Sequence, residues 1–324
     1  MATRSRPRRR SRRTAANSRW AALLTESRNP RSRGLDVLPT ESVVGLLLDE
    51  DRRALLAAAR QKIAITRAAV RAARALEAGG TVLFLGAGTS GRLGVLEAAE
   101  CPPTFGSRPD QIRAAMAGGE DAVFRAVEGA EDRVEDGRRE ASVLRRGDLL
   151  IGISASSVTP FVRGALARAR ENGVDTVLVT CAPGGGLKGL AGTVVAIATG
   201  PEVLTGSTRL KAGSATKAAL NAITTAAMVR LGKAYENLMV DLRPGSAKLR
   251  DRAGRIVAAA GGVPRDEAER LLSLASGDVK TAIVMGRLGV SDAEARKRLA
   301  AARGHVRRAL ARGPLSDSSR TRLR

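Results

Sequence analysis

Five short apolar runs alternate with helical segments between residues 81 and 200, and this alternation limits the folds open to the chain more than any other feature. The runs are TVLFLG, IRAAM, DLLIGISAS, DTVLVTC and TVVAIATG. Neighbouring parallel strands need a long crossover connection, usually a helix, whereas antiparallel strands do not. The sequence therefore predicts an α/β fold with a doubly wound, parallel five-stranded sheet flanked by helices.

The composition changes along the chain and divides it around this sheet. Arginines dominate both ends, and the region after the sheet reads as short helices. We expect five segments: a basic, disordered leader (1–22), an N-terminal helical segment (23–78), the sheet domain (79–260), a small helical domain (261–312) and a basic tail (313–324).

Local signals predict several helix boundaries. The helix after the first strand is expected to stop before Pro102-Pro103, because proline lacks the amide that continues a helix. The C-terminal region predicts an appendage of three short helices, with breaks at Gly277 and Gly289. Asp266 and Ser291 are its predicted N-caps.

The composition also excludes several kinds of site and location. His305 is the only histidine, and Cys101 and Cys181 are isolated, so we expect no metal site and no disulfide framework. No apolar stretch reaches the roughly 18 residues of a membrane-spanning helix, and the N-terminus lacks the apolar core of a signal peptide. These features predict a cytoplasmic protein.

The formal net charge is +23, and most of it lies in the arginine-rich ends. Arginine runs such as TRSRPRRRSRR bind nucleic acid without reading its sequence. The alternative is a solvated, disordered leader, which we favour. We therefore expect no nucleic-acid partner beyond weak contact by the leader.

A glycine-rich turn follows the first strand, where Gly86, Gly88 and Gly91 spell G-x-G-x-x-G. The motif is typical of dinucleotide sites, but such a site needs an acidic residue about 20 residues further on. The next strand leads into AGGED, which lies too far along the chain. Thr89 and Ser90 add two hydroxyls to the turn, so a sugar phosphate is the better ligand.

Two further polar segments carry hydroxyls or cations: SASSVTP (154–160) after the third strand and TGSTRLKAGSATK (205–217). The carboxyl ends of strands in a doubly wound sheet converge on one crevice. N-capping alone would explain any one of these turns, but three together favour a phosphate monoester and a polyol. The candidate binding residues are Gly88, Thr89, Ser90, Gly91, Arg92, Ser154, Ser156, Ser157, Thr159, Ser207, Arg209 and Lys211.

Two pairs of glutamates lie one helical turn apart, Glu97 with Glu100 and Glu128 with Glu131. Most such acids are solvated. Glu100 is predicted to end its helix, where the negative end of the helix dipole would raise the carboxyl pKa, as a proton donor requires. On residue types alone, a catalytic role and a solvated position for Glu100 stay equally open.

Long motifs point to one family. FLGAGTSGRLGVLEAAECPP (84–103), EGAED (128–132) and TGSTRLKAG (205–213) closely resemble the N-acetylmuramic acid 6-phosphate etherases, which are sugar-isomerase (SIS) domain enzymes of cell-wall recycling. LLTESRNPRSRGLDVLPTES (23–42) and NLMVDLRPGSAKLRDRA (237–253) also resemble family segments. The resemblance spans roughly residues 23–311.

The resemblance implies a lyase that needs neither metal nor nucleotide cofactor. It would cleave the D-lactyl ether of its substrate by elimination and hydration, giving N-acetylglucosamine 6-phosphate and D-lactate. Glu100 would be the proton donor, Glu131 the second catalytic acid/base, and the phosphate would sit among Thr89, Ser90, Ser154 and Ser156. Family members are homodimers with the site near the subunit interface, so a dimer is expected.

Departures from the family pattern affect the second turn most. Ser157-Val158 stands where the family usually has glycine and arginine, which predicts altered binding of substrate or phosphate. Glu236 replaces a common glycine, and Gly245-Ser246 replaces the usual T-N.

Three rival functions remain on the same scaffold. A phosphosugar-sensing regulator of the same fold would fit the altered turn, but the retained Glu100 and Glu131 argue against a pure binder. A DNA-binding regulator would need a helix-turn-helix module, which residues 41–78 do not resemble. An aldose–ketose isomerase would differ from an etherase by releasing no lactate.

Overall fold

The computed structural model describes residues 23–242 and 245–311. The predicted basic leader and basic tail lie outside the described residues. Within them, no helix is both long and apolar enough to cross a membrane.

The predicted parallel five-stranded sheet is confirmed, with the strand order β2-β1-β3-β4-β5. In register, Val82 pairs with Ile112 on one side and with Leu149 on the other. The strands are β1 (Val82–Gly86), β2 (Ile112–Met116), β3 (Leu149–Ile153), β4 (Asp175–Thr180) and β5 (Thr193–Ala196).

Helices cover both faces of the sheet. Those that precede the helical C-terminal region are α1 (Thr40–Ala59), α2 (Lys62–Glu77), α3 (Gly88–Phe105), α4 (Asp121–Phe124), α5 (Val134–Ala141), α6 (Pro160–Glu171) and α7 (Lys211–Arg230). Three short 3-10 turns within 24–37 precede α1, and another, Ala130–Asp132, precedes α5.

The alternation of side chains along the strands explains why the sheet is buried on both sides. Phe84 joins one core with residues of α1, α2, α3 and α7, whereas Leu83 and Leu85 join another with residues of α5 and α6. Strands buried on both faces read as continuous apolar runs, which is the pattern that made them visible in the sequence.

The C-terminal region is helical, but its described part, up to residue 311, contains four helices after residue 261 instead of the predicted three. They are α9 (Arg265–Leu274), α10 (Val279–Leu288), α11 (Asp292–Ala301) and α12 (Val306–Leu310). Helix α8 (Ala247–Gly261) and a small hairpin of β6 (Ala234–Tyr235) and β7 (Leu238–Met239) contribute to the same core.

The predicted breaks and one predicted cap are confirmed in this region. Gly289 ends α10 at φ 63°, Gly277 lies between helices at φ 81°, and the Ser291 side chain accepts the Glu294 amide. Asp266 is not an N-cap: α9 begins at Arg265, because Pro264 takes the capping position.

Helix α3 does not stop before Pro102-Pro103 but continues to Phe105. Both prolines lie in its last turn, so each removes one i→i−4 hydrogen bond at the end of the helix and leaves the earlier turns intact. Gly106, at φ 63°, closes the helix and donates its N–H to the Pro102 carbonyl oxygen at 2.9 Å. Glu100 therefore lies inside the helix, before its last turn, and not at the helix end where it was predicted.

Candidate functional site

Two of the predicted hydroxyl-bearing turns meet at the carboxyl edge of the sheet. Strand β1 lies between β2 and β3, so the chain leaves β1 to one side and returns on the other. Doubly wound sheets bind ligands at such a reversal. Gly86 pairs with Ile153, which places the turn of Thr89 and Ser90 beside that of residues 154–159.

The glycines of the first turn let α3 pack closely on β1. A Cβ on Gly86 would lie 2.8 Å from the Gly91 nitrogen, and one on Gly91 would lie 2.7 Å from the Gly86 carbonyl oxygen. Gly91 was predicted to bind the ligand, but it is buried in this contact and packs against β1 instead. Gly88 is exposed, and Thr89 and Ser90 follow it at the start of α3, where amides suit an anion.

The second turn divides its predicted residues between a hydroxyl pair and a packing contact. Ser154 is buried, and its Oγ lies 2.7 Å from the Oγ1 of Thr159, while Ser156 is half-buried. Ser157 is not open to a ligand as predicted. Its side chain is buried against Gly185, and in the described part of the chain its hydroxyl has no hydrogen-bond partner.

Two departures from the resembled family lie at left-handed backbone positions. Ser157 has φ 58° and Glu236, in the β6–β7 turn, has φ 54°. Glycine adopts this region without steric cost, whereas residues with a Cβ do not. Backbone geometry therefore accounts for the glycine that the family usually has at each position.

Arg92 clamps two loops together instead of facing a ligand. Its Nε donates to the Val123 carbonyl oxygen at 2.8 Å, and its Nη2 donates to those of Ala122 at 2.8 Å and Arg125 at 3.3 Å. These bonds fix the start of α3 to the segment that follows β2. The prediction of Arg92 as a phosphate-binding residue is therefore not supported by its contacts.

Lys211 is also committed elsewhere. Its ammonium is buried and lies 2.5 Å from Glu50 Oε2 of α1, to which the Asn29 amide also donates. Burial alone would raise the pKa of Glu50, but Lys211, Asn29 and Arg31 together hold it below its ordinary value. The sequence assigns Lys211 to the ligand, whereas the structure places it in this internal ion pair.

The N-terminus of α7 is capped from within the protein. The Glu202 carboxylate accepts the Lys211 amide at 3.3 Å and the Ala212 amide at 2.9 Å. Ser207 is half-buried in the turn before the helix, and Arg209 is exposed. Of the three predicted residues in this segment, Arg209 is thus the cation left open to a ligand.

Arg209 and Thr89 both line a surface cavity of about 530 Å³. It lies between α1, the first turn of α3 and one side of α7. The lining residues are Leu55, Thr89, Leu93, Arg209, Gly213, Ser214, Lys217, Ala218 and Asn221.

Lys217 and Asn221 line this cavity, although neither was predicted from the sequence. Gly213, Lys217 and Asn221 recur at every fourth position and therefore share one side of α7. This four-residue periodicity could have identified Lys217 from the sequence, because it places Lys217, but not Lys211, on the same side of the helix as Gly213.

Glu97, not Glu100, is the buried acid of α3. Its Oε2 accepts the Asn221 Nδ2 at 2.7 Å, and its Oε1 accepts the Thr224 hydroxyl. Burial raises the pKa of Glu97 even though both bonds and the charge of Lys217 act to lower it. Glu97 therefore fixes Asn221 at the edge of the cavity.

Glu100 and Glu131 are both exposed and lie apart. Glu100 is ten residues beyond Ser90 on α3, a separation of about 15 Å along the axis. Glu131 lies in the 3-10 turn that packs on α6, on the other side of the sheet. In the described residues, no hydrogen bond or ion pair joins the two carboxyl groups, and no cluster of three His, Cys, Asp or Glu could hold a metal ion.

Residues 64–170 match the family model of the glucokinase regulatory protein N-terminal SIS domain. The chain is 47% identical over 271 residues to an N-acetylmuramic acid 6-phosphate etherase from Parasynechococcus marenigrum, covering 83% of this chain and 86% of that relative. It is 50% identical over 269 residues to a protein of the same name from Cutibacterium acnes, covering 82% and 88%. Among solved structures, it is similar to a phosphoheptose isomerase from Francisella tularensis at 19% identity and a TM-score of 0.46, over 58% of this chain and 100% of that one.

Proposed function

Because the chain belongs to the N-acetylmuramic acid 6-phosphate etherase family, we propose that it cleaves the D-lactyl ether of N-acetylmuramic acid 6-phosphate. The products are N-acetylglucosamine 6-phosphate and D-lactate, and the role is the recycling of cell-wall amino sugars. The observation that carries the proposal is the 50% identity over 88% of a relative of that name.

We place the phosphate at the turns beside β1 and β3. Thr89 and Ser90 offer hydroxyls at the start of α3, where helix amides and the helix dipole favour an anion. Ser154, Ser156 and Thr159 lie across the same crevice. Arg92 and Ser157 support these turns without touching the ligand.

The chemistry requires one ionised and one protonated carboxyl group. In the open-chain aldehyde, the carboxylate removes the C2 proton, which the carbonyl group acidifies. The acid protonates the ether oxygen as the C3–O bond breaks and lactate leaves. Water then adds across the C2–C3 double bond. By their positions in the family motifs, Glu100 is the proton donor and Glu131 the second acid/base.

We further propose that the protein works as a homodimer and that Glu100 reaches the sugar bound by a second copy. Glu100 is about 15 Å along α3 from the proposed phosphate turn, farther than C2 or C3 of a hexose 6-phosphate lies from its phosphate. Exposed Leu48, Leu96 and Val229 lie on α1, α3 and α7, and both α1 and α3 pack on α7. An apolar partner surface would cover them.

The proposed location is the cytoplasm. Both cysteines are free and buried, as suits a reducing compartment. The predicted contact of nucleic acid with the arginine-rich leader remains a separate hypothesis.

The direct test is release of D-lactate from N-acetylmuramic acid 6-phosphate by the purified protein. Glu100→Gln and Glu131→Gln keep the shape of the side chain but remove its proton transfer, so we expect each to abolish release. Glu140→Gln, on α5, is the matched control and should retain activity. If the wild-type protein binds the sugar phosphate but releases no lactate, the proposed etherase activity is contradicted.

Co-expression of two inactive variants tests the shared site. If Glu100 acts on the sugar of a second copy, Glu100→Gln and Glu131→Gln subunits form mixed dimers with one complete site. Random pairing then restores about a quarter of wild-type activity. No recovery in purified mixed dimers would place both glutamates in one subunit's site.

A phosphosugar-sensing regulator is the second candidate. The match of residues 64–170 to a regulatory SIS domain and the altered turn at Ser157-Val158 favour it. Saturable binding without lactate release would identify this function, and Val158→Arg would then test whether the missing arginine is the cause.

A further inference from the structure

The cavity lined by Arg209 and Lys217 adjoins the phosphate site proposed above and shares Thr89 with it. It lies between α3, α7 and Leu55 of α1. Thr89 Cγ2 lies 3.6 Å from the position that a Cβ on Gly213 would occupy, so the first turn of α3 directly adjoins this wall of α7. A ligand that occupies the phosphate turns therefore has the cavity as its neighbour.

In the described residues, neither cation of the cavity is paired with a carboxylate. These cations, Arg209 and Lys217, are both exposed. The two nearby acids have other partners: Asp51 accepts the Ser214 hydroxyl at 3.0 Å, and Glu97 binds Asn221 and Thr224. Two cations lining one cavity raise the local concentration of anions.

The lining also has an apolar part beside its polar side chains. Leu55, Leu93 and Ala218 give the cavity a surface that suits a small alkyl group. The required ligand group is thus short, anionic at one end and apolar beside it. A free phosphate or a sugar hydroxyl has no such alkyl part.

We infer that this cavity receives the lactyl group of the substrate, with its carboxylate between Arg209 and Lys217 and its methyl group against Leu93. The inference rests on the proposed function, because it assigns the second anionic end of that substrate. It makes Lys217 and Arg209 the residues that distinguish substrate from product, since N-acetylglucosamine 6-phosphate has no lactyl group.

The test compares the affinity of two ligands for Lys217→Gln and Arg209→Gln. Calorimetry measures the Kd of N-acetylmuramic acid 6-phosphate in the Glu100→Gln background, which prevents turnover, and the Kd of N-acetylglucosamine 6-phosphate. Each substitution should weaken the lactyl ligand roughly tenfold, as loss of a charge-assisted hydrogen bond does. The product should change less than about twofold.

Lys248→Gln is the matched control, since Lys248 is exposed on α8, away from the cavity. It should change neither Kd, and unchanged melting temperatures for all variants would show that they are folded. Equal weakening of both ligands would overturn the inference by assigning the cations to the phosphate. No weakening of either would overturn it by leaving the cavity unused.

The two proposals fail in different ways. In one outcome, the wild type releases no lactate but binds the lactyl ligand more tightly than the product, and this difference is lost in Lys217→Gln. That result would support the cavity assignment and contradict the proposed enzymatic activity. If lactate is released but the affinity ratio is unchanged in both variants, the enzyme holds and the cavity assignment does not. Wild-type protein that binds neither ligand overturns both.

Discussion

Replacing Ser157 by glycine should stabilise the protein, although it removes a fully buried side chain. Ser157 has φ 58° and a buried hydroxyl without a hydrogen-bond partner in the described residues. Both features are unfavourable in the folded state. Glycine removes both of them without altering the path of the chain.

The magnitude follows from four contributions. A residue with a Cβ in the left-handed region costs about 1 kcal/mol, and a buried unpaired hydroxyl costs about 1–3 kcal/mol. Against these, glycine adds about 0.4–1 kcal/mol of freedom to the unfolded chain and leaves a small void beside Gly185. The balance favours Ser157→Gly by about 1–2 kcal/mol, which corresponds to a rise in Tm of about 1.5–3 °C for a chain of this length.

Urea denaturation followed by circular dichroism measures this difference, with an unchanged m-value as the condition for comparison. Ser157→Ala separates the two causes, because it removes the hydroxyl but keeps the strained Cβ. Ser156→Gly is the matched control: Ser156 has no positive φ, so glycine there should destabilise by about 0.5 kcal/mol. A Ser157→Gly protein no more stable than the wild type, at equal m-value, would refute the reasoning.

Three other substitutions test contacts described above. Gly185→Ala should destabilise the wild type strongly, because the new Cβ would lie 2.1 Å from the Cβ of Ser157. The same substitution should be tolerated in Ser157→Gly. A double-mutant cycle in urea should therefore show coupling between the two positions, and additive effects would contradict the contact. Lys211→Met should lower the free energy of unfolding by about 3 kcal/mol, because Glu50 would stay buried without its closest cation. The control Lys217→Met should change the free energy of unfolding by less than about 0.5 kcal/mol. Similar urea midpoints for the two variants would exclude the buried pair. Burial raises the pKa of Glu97 above its ordinary 4.5, so the unfolded chain loses this proton at lower pH than the folded protein does. The free energy of unfolding should therefore fall as the pH rises from 4.5 through the folded pKa. Glu97→Gln should not show this fall, and identical pH profiles of the two proteins would argue against the prediction.

The sheet could be predicted because its signal is local. Residues such as Phe84 and Leu83 face opposite cores, and burial on both faces leaves five apolar runs that need no tertiary information to recognise. The start of each hydroxyl-bearing turn follows from the ends of those runs. The convergence of two turns at β1 and β3 then follows from the topology rule for doubly wound sheets.

The roles of individual polar residues could not be predicted in the same way. Lys211 and Lys217 stand six positions apart in one polar segment, and only the distant Glu50 makes the first an internal ion pair. Arg92 is likewise committed by backbone carbonyl groups more than 30 residues away. Glu97 and Glu100 are neighbours one turn apart on α3, and only the position of α7, whose Asn221 and Thr224 bind Glu97, makes one buried and leaves the other exposed.

The ion pair between Glu50 and Lys211 also has a consequence for the order of events during synthesis. Its partners are separated by 161 residues, and Asn29, which binds the same glutamate, also contacts the carbonyl oxygen of Pro201. At translation rates of about 5–20 residues per second, Glu50 leaves the ribosome roughly 10–30 s before Lys211 does. We therefore expect the contact of α1 with α7, and the wall that Leu55 of α1 adds to the cavity, to form only after α7 has been made.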